Sequence, residues 1–146
     1  TNYHICTKYY RPPEIMFQFE IPQLKYMDLW SIGCVLYELF YGSALFECDP
    51  NDSDLNESNE NLFYKQVSLL GLPLYSYLDK YNVDYCEEYT YINSIEYKKF
   101  KEPNEELITQ FSKMPFGLEL IVKFLNWDPY ERPSPEFCLT YIKERL

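Results

Sequence analysis

Apolar residues crowd positions 28–41, DLWSIGCVLYELFY, more densely than anywhere else in the chain. Wound as a helix, this stretch points Leu29, Trp30, Ile32, Cys34, Val35, Leu36, Leu39 and Phe40 in nearly every direction. A helix that is apolar all round must be wrapped by protein on every side. Asp28 suits its N-cap, where a carboxylate accepts the orphan N–H groups of the first turn. Gly42 suits its end. The pattern therefore predicts a buried helix at the centre of the fold, with Trp30, Ile32, Val35 and Phe40 as core.

The rest of the chain reads as shorter pieces around that helix. Residues 1–14 have no helical period, and Pro12 and Pro13 push their predecessors toward extended backbone, which predicts a loop. Residues 15–19 suit one or two helical turns. Residues 47–60, ECDPNDSDLNESNE, predict an acidic, solvated loop, and 61–70 a short helix stopped by Gly71 and Pro73. Residues 72–115 show little pattern beyond a helical patch near 105–111, which suits an insertion packed on the outside. A clear helical stripe follows in 116–127: Phe116, Leu118, Leu120, Ile121, Phe124 and Leu125. Ser134 and Pro135 then open a last helix as N-cap hydroxyl and first-turn proline, with Phe137, Cys138, Tyr141, Ile142 and Leu146 as its apolar face. The fold class predicted is mainly α.

Composition narrows the function. A chain of 146 residues fits one domain or a large piece of one, and Thr1 reads as the edge of an excised product. The net charge of −10 argues against a nucleic-acid partner, which needs clustered cations, and suits a basic one. Five cysteines, an odd number without a CxxC pair, and one histidine (His4) point to reduced thiols rather than a zinc site or disulfide framework. An intracellular setting, nucleus or cytoplasm, follows. No signal peptide is evident. Residues 29–46 carry Ser31, Glu38 and Ser43, so they predict a buried helix rather than a membrane span.

Four segments, in order, resemble the second half of the protein kinase domain. TKYYRPPEI (7–15) resembles the end of the activation segment, with Pro12-Pro13-Glu14 in place of the Ala-Pro-Glu triplet. DLWSIGCVLYELFYGSALF (28–46) is similar to the central F helix, LLGLP (69–73) to the end of the G helix, and FLNWDPYERPS (124–134) to the join of the H and I helices. Arg11 ahead of the triplet and the long G-to-H segment resemble the CMGC group; TKYYRPPEI is most similar to its LAMMER-type and SR-protein kinases. The resemblance implies that 1–146 is a partial kinase domain, the helical C-lobe portion of a bilobal fold. In that frame residues 1–14 end the activation segment and 72–115 form the insert between the G and H helices.

The resemblance also implies roles, each set against a plainer reading. Glu14 would meet Arg132 and tie the activation segment to the helical base; otherwise they are two surface charges. Asp28 would hold the backbone of the catalytic loop besides capping its helix, and Trp30 would fill the core. Thr7 would support catalysis in the substrate channel, or be an ordinary loop hydroxyl. Arg11 would shape the pocket for the residue after the phosphoacceptor, or be a solvated arginine. Lys8 stands where relatives carry an arginine that grips an activating phosphate. It keeps the charge without the two-pronged geometry.

Phosphoryl transfer needs a loop over the phosphates, a strand lysine, metal-binding carboxylates and an aspartate that takes the hydroxyl proton. None of these motifs occurs in this sequence. The reading is thus of a chain inactive alone, binding no cofactor or metal itself, with ATP and Mg expected for the complete kinase. Its partners would be a protein substrate, basic or Arg/Ser-rich, and the N-lobe and catalytic loop of the same protein; no nucleic acid and no membrane are expected. The alternative is a non-catalytic, pseudokinase-like helical scaffold. In either case, without those upstream segments the helix at 28–41 would expose an apolar patch.

Overall fold

A helix of 17 residues, α2 (Lys25–Tyr41), organises the molecule. The computed structural model describes residues 6–16, 25–48, 55–73, 80, 109 and 118–145. Ahead of α2 lie a 3-10 turn (Lys8–Tyr10) and the single-turn helix α1 (Pro13–Met16). After it come α3 (Leu55–Leu70), α4 (Leu118–Phe124), a second 3-10 turn (Pro129–Glu131) and α5 (Pro135–Lys143). Every regular element among the described residues is helical, in line with the mainly α reading.

Trp30 and Cys34 of α2 are fully buried. They share a core with Met16, Phe46, Leu62, Val67 and Ile121, drawn from four helices and the segment after α2. Aromatic rings fill its middle. Trp30 stacks on Phe46 at 6.0 Å between centroids and tilts against Trp127 at 6.2 Å. Beside it, Leu29 packs with Leu120, Phe124 and Tyr141. Gly33 lets α2 and α4 meet closely, since a Cβ there would lie 2.8 Å from the Phe124 Cβ.

Sequence expectations fail along α2 at its start and on its outer face. The helix begins at Lys25, so Asp28 is not its N-cap. Met27 is buried, and its packing carries the helix back past the residue that looked like a start. Asp28 sits exposed in the first turn, where its charge favours the helix dipole without capping it. Nor is the helix wrapped on every side: of the predicted core residues Trp30 is buried, but Ile32, Val35 and Phe40 are 43%, 44% and 55% exposed, and Leu39 is 75% exposed. The end does follow the pattern. Gly42 adopts the left-handed conformation that suits a helix C-terminus, with φ at 77°. Its N–H bonds the Glu38 carbonyl at 2.8 Å.

The other helices depart from the apolar pattern for identifiable reasons. Pro13 and Glu14, read as loop, form α1 itself, because proline suits the first helical turn. Helix α3 starts within the acidic run, ahead of the predicted position 61. Its buried positions, Asn59, Leu62, Phe63, Gln66 and Val67, keep a helical period, but two are polar and hide it. Helix α5 opens as predicted, with an N-cap hydroxyl. There the Phe137 N–H donates to Ser134 Oγ at 3.2 Å. Tyr141 faces the core and Cys138 is half-buried, whereas Phe137 and Ile142, predicted on the same face, are exposed. Nearly all of the 72–115 insert, residues 17–19 of the 15–19 patch and residues 49–54 of the acidic run fall outside the described residues.

Candidate functional site

The segment 6–14 runs across α2 and α3, and polar side chains fix it at each step. On α2, Ser31, Cys34 and Glu38 share one face at spacings of three and four residues. Tyr10 Oη donates to Glu38 Oε2 at 2.5 Å, and Ser31 Oγ donates to the Tyr10 carbonyl at 3.1 Å. The Cys6 thiol donates to the same carbonyl at 3.5 Å and lies 3.7 Å from Ser31 Oγ. The hydrogen bond to Glu38, then partial burial, raises the Tyr10 phenol above its ordinary value and keeps it a donor. Burial, with Cys6 second, pushes the Cys34 thiol far up, so it stays protonated.

Arg11 is 6% exposed, so the solvated-arginine reading does not describe it. Its Nη1 donates to Asn59 Oδ1 at 2.7 Å and its Nη2 to the Cys6 carbonyl at 3.3 Å. Gln66 Nε2 donates to the Arg11 carbonyl at 2.9 Å. Arg11 Nε and Gln66 Oε1 have no partner among the described residues. Thr7 is exposed, and its carbonyl accepts the Tyr10 N–H at 3.0 Å. Lys8 is half-buried in the 3-10 turn. The structure thus brings Thr7, Lys8 and Arg11 onto one turn.

Glu14 and Arg132 meet in the core, both with fully buried side chains. Arg132 Nη1 donates to Glu14 Oε1 at 2.5 Å and Nη2 donates to Oε2 at 2.7 Å. This is the two-pronged geometry that suits a planar guanidinium. Nη1 also bonds the Tyr26 carbonyl at 2.6 Å, and Nε bonds the Asn126 carbonyl at 3.0 Å. The guanidinium lies 5.2 Å over the Trp30 ring, within range of a cation–π attraction. Asp128, ahead of Arg132 in the same motif, caps its 3-10 turn by accepting the Tyr130 N–H at 3.0 Å. The exposed Asp28 carboxylate belongs to neither cluster.

Tyr10, Glu38, Asn59 and Gln66 escaped the sequence reading. Only Glu38 left a signal, as an acid inside an apolar helix, and it served there to argue against a membrane span. Among the described residues no helix is long and apolar enough to cross a membrane, and no group of three or more His, Cys, Asp or Glu is placed to hold a metal.

The sequence profile of the protein kinase domain matches residues 1–142. Mitogen-activated protein kinase HOG1 of Scheffersomyces stipitis is 31% identical over 140 residues, covering 94% of this chain and 33% of that protein. Mitogen-activated protein kinase MKC1 of Candida albicans is 32% identical over 138 residues, covering 94% and 25%. The solved MAP kinase LmaMPK10 from Leishmania major superposes with a TM-score of 0.67 at 25% identity, covering 96% of this chain and 38% of that one. The chain therefore spans about a third or less of the length of these curated relatives. They are MAP kinases, and they lend no support to the LAMMER-type or SR-protein-kinase affiliation suggested by TKYYRPPEI. Matched over nearly its whole length, the chain belongs to the protein kinase domain family, with MAP kinases of the CMGC group among its relatives.

Proposed function

We propose that this chain is the C-lobe portion of a Ser/Thr protein kinase, holding the peptide substrate and the end of the activation segment while other parts of the polypeptide carry out phosphoryl transfer. The observation that carries the proposal is the Glu14–Arg132 clasp. It fixes the segment bearing Thr7, Lys8 and Arg11 to the helical base. The bare face of α2 supports it too. Asp28, Ile32, Val35 and Leu39 lie exposed along one side of the helix. That face suits the catalytic loop, with Asp28 placed to accept its backbone N–H groups.

ATP would supply the phosphoryl group and magnesium would neutralise its charge. In this reading both are held by other parts of the kinase. This chain's own residues act on the peptide. Arg11 Nη2 occupies the Cys6 carbonyl, next to Thr7 in the proposed channel. A substrate N–H brought there would compete with Arg11 for its acceptor, and a poorly paired buried donor is costly. Proline has no N–H to lose. The site therefore favours proline after the phosphoacceptor, and the net charge of −10 favours a basic, arginine-bearing peptide. The free thiols of Cys6, Cys34 and Cys138 suit a reducing intracellular setting, nucleus or cytoplasm.

The test is phosphate transfer from ATP with magnesium to matched serine peptides. The longer polypeptide containing this chain should label peptides with proline after the serine, and residues 1–146 alone should label none. If the longer polypeptide transfers no phosphate but binds proteins through this helical surface, the non-catalytic scaffold reading replaces the enzyme.

A further inference from the structure

We infer that Asn59 of α3 is a positioning residue that holds Arg11 in place and so sets the choice of residue after the phosphoacceptor. This rests on the substrate reading above and adds to it a control point on a different helix. The starting point is the unusual company that Arg11 keeps. A guanidinium stays charged at any ordinary pH, and when buried it normally faces a carboxylate. Arg11 is 6% exposed, yet no carboxylate among the described residues pairs with it. Its acceptors are neutral: Asn59 Oδ1 at 2.7 Å and the Cys6 carbonyl at 3.3 Å.

The shorter of these bonds goes to α3, and α3 holds Arg11 twice. Asn59 takes the side chain. Gln66, seven residues along and on the same face, takes the backbone carbonyl at 2.9 Å. Both are buried, at 7% and 0% exposure, on a helix face otherwise apolar at Leu62, Phe63 and Val67. With Nε unpartnered, no other side chain among the described residues keeps the guanidinium pointed at Cys6. Losing the Asn59 oxygen leaves Nη1 unpaired and frees the side chain to turn. The Cys6 carbonyl is then relieved of its competing donor and accepts a substrate N–H more readily, so the preference for proline fades.

The experiment compares kcat/KM of the longer polypeptide for two peptides that differ only in proline or alanine after the phosphoacceptor. Asn59→Ala should shrink the proline-to-alanine ratio roughly tenfold, chiefly by improving the alanine peptide. Asn59→Asp, which keeps the oxygen and adds charge, should restore the ratio; simple loss of packing would not be rescued this way. Should Asn59→Ala fail to fold, Asn59→Gln displaces the acceptor by one methylene and should shrink the ratio in the same direction. A wild-type preference left unchanged by these substitutions overturns the role of Asn59 and leaves the substrate reading standing. A wild-type enzyme indifferent to proline overturns both.

Discussion

Arg132 grips Glu14 through two parallel hydrogen bonds across 118 residues of sequence, and neither side chain touches solvent. The pair joins the end of the turn ahead of α5 to the short helix α1. Its energetics are asymmetric: the intact pair need not be strongly stabilising, but a survivor left alone is an uncompensated buried charge. Glu14→Ala is expected to cost about 3–5 kcal/mol, read by urea denaturation. Glu14→Leu combined with Arg132→Met should cost less than either single change. It should not reach wild type, because the carbonyls of Tyr26 and Asn126 lose their donor as well. Strictly additive costs would show that the two residues act independently.

Gly33 tests how tightly α2 and α4 meet. An added methyl would lie 2.8 Å from the Cβ of Phe124 and 3.3 Å from Leu125. Trimming Phe124 to leucine leaves the offending Cβ in place, so the clash has to be relieved by moving helices. Gly33→Ala should destabilise by about 1–3 kcal/mol despite alanine's better helix propensity. Phe124→Leu should not rescue it in a thermal melt.

What could be read from the sequence was mostly what short-range rules control. Ser134 and Pro135 announce α5, and Gly42 and Gly71 end α2 and α3, because caps and left-handed turns depend on one or two residues. Rules of the same kind misplaced the start of α2, where Asp28 looked like a cap but buried Met27 extends the helix. Contacts set by the third dimension left little trace. Asn59 falls in the run that reads as a solvated loop and Gln66 draws no notice, since nothing local says that Arg11 packs against both. Glu14 and Arg132 are too distant in sequence for periodicity to join, and only the likeness to kinases put them side by side.

Tyr10 and Glu38 make a pH-dependent contact whose sign is fixed by the raised phenol. Below about pH 10, the ordinary phenol range, Tyr10 is protonated in both folded and unfolded chains and the bond contributes fully. Above it the unfolded chain ionises first, so the contribution shrinks until the folded phenol also ionises. Tyr10→Phe should cost about 1 kcal/mol at neutral pH. The gap between wild type and variant in urea denaturation should narrow from pH 8 to pH 11. A gap that widens would show that Tyr10 is not held protonated by Glu38.

Cys34 should resist modification. Its thiol is wholly buried and pushed far above the ordinary range, and only the thiolate attacks an alkylating agent. With iodoacetamide at pH 8, peptide mapping by mass spectrometry should find the half-buried Cys6 labelled well before Cys34. Cys34 should label at the rate of global opening, rising steeply in urea. Equal rates for the two cysteines in the native protein would place Cys34 outside the core.

Leu39 separates an ordinary surface residue from a position awaiting cover. It is 75% exposed and on that ground should tolerate almost anything. Substitutions at solvated positions usually change stability by no more than about 0.5 kcal/mol. Yet Leu39 continues a face with Ile32 and Val35 that is apolar where a solvated helix would be charged. If the proposed C-lobe reading is right, the rest of the kinase covers this face. Leu39→Asp should then cost the longer polypeptide about 2 kcal/mol or more, the penalty for burying an unpaired polar group, and lower its phosphate transfer. In residues 1–146 alone the same change should be neutral or should improve solubility by breaking up an apolar patch. Equal tolerance in both would mean that the face is open in the complete protein, and the catalytic loop would have to sit elsewhere.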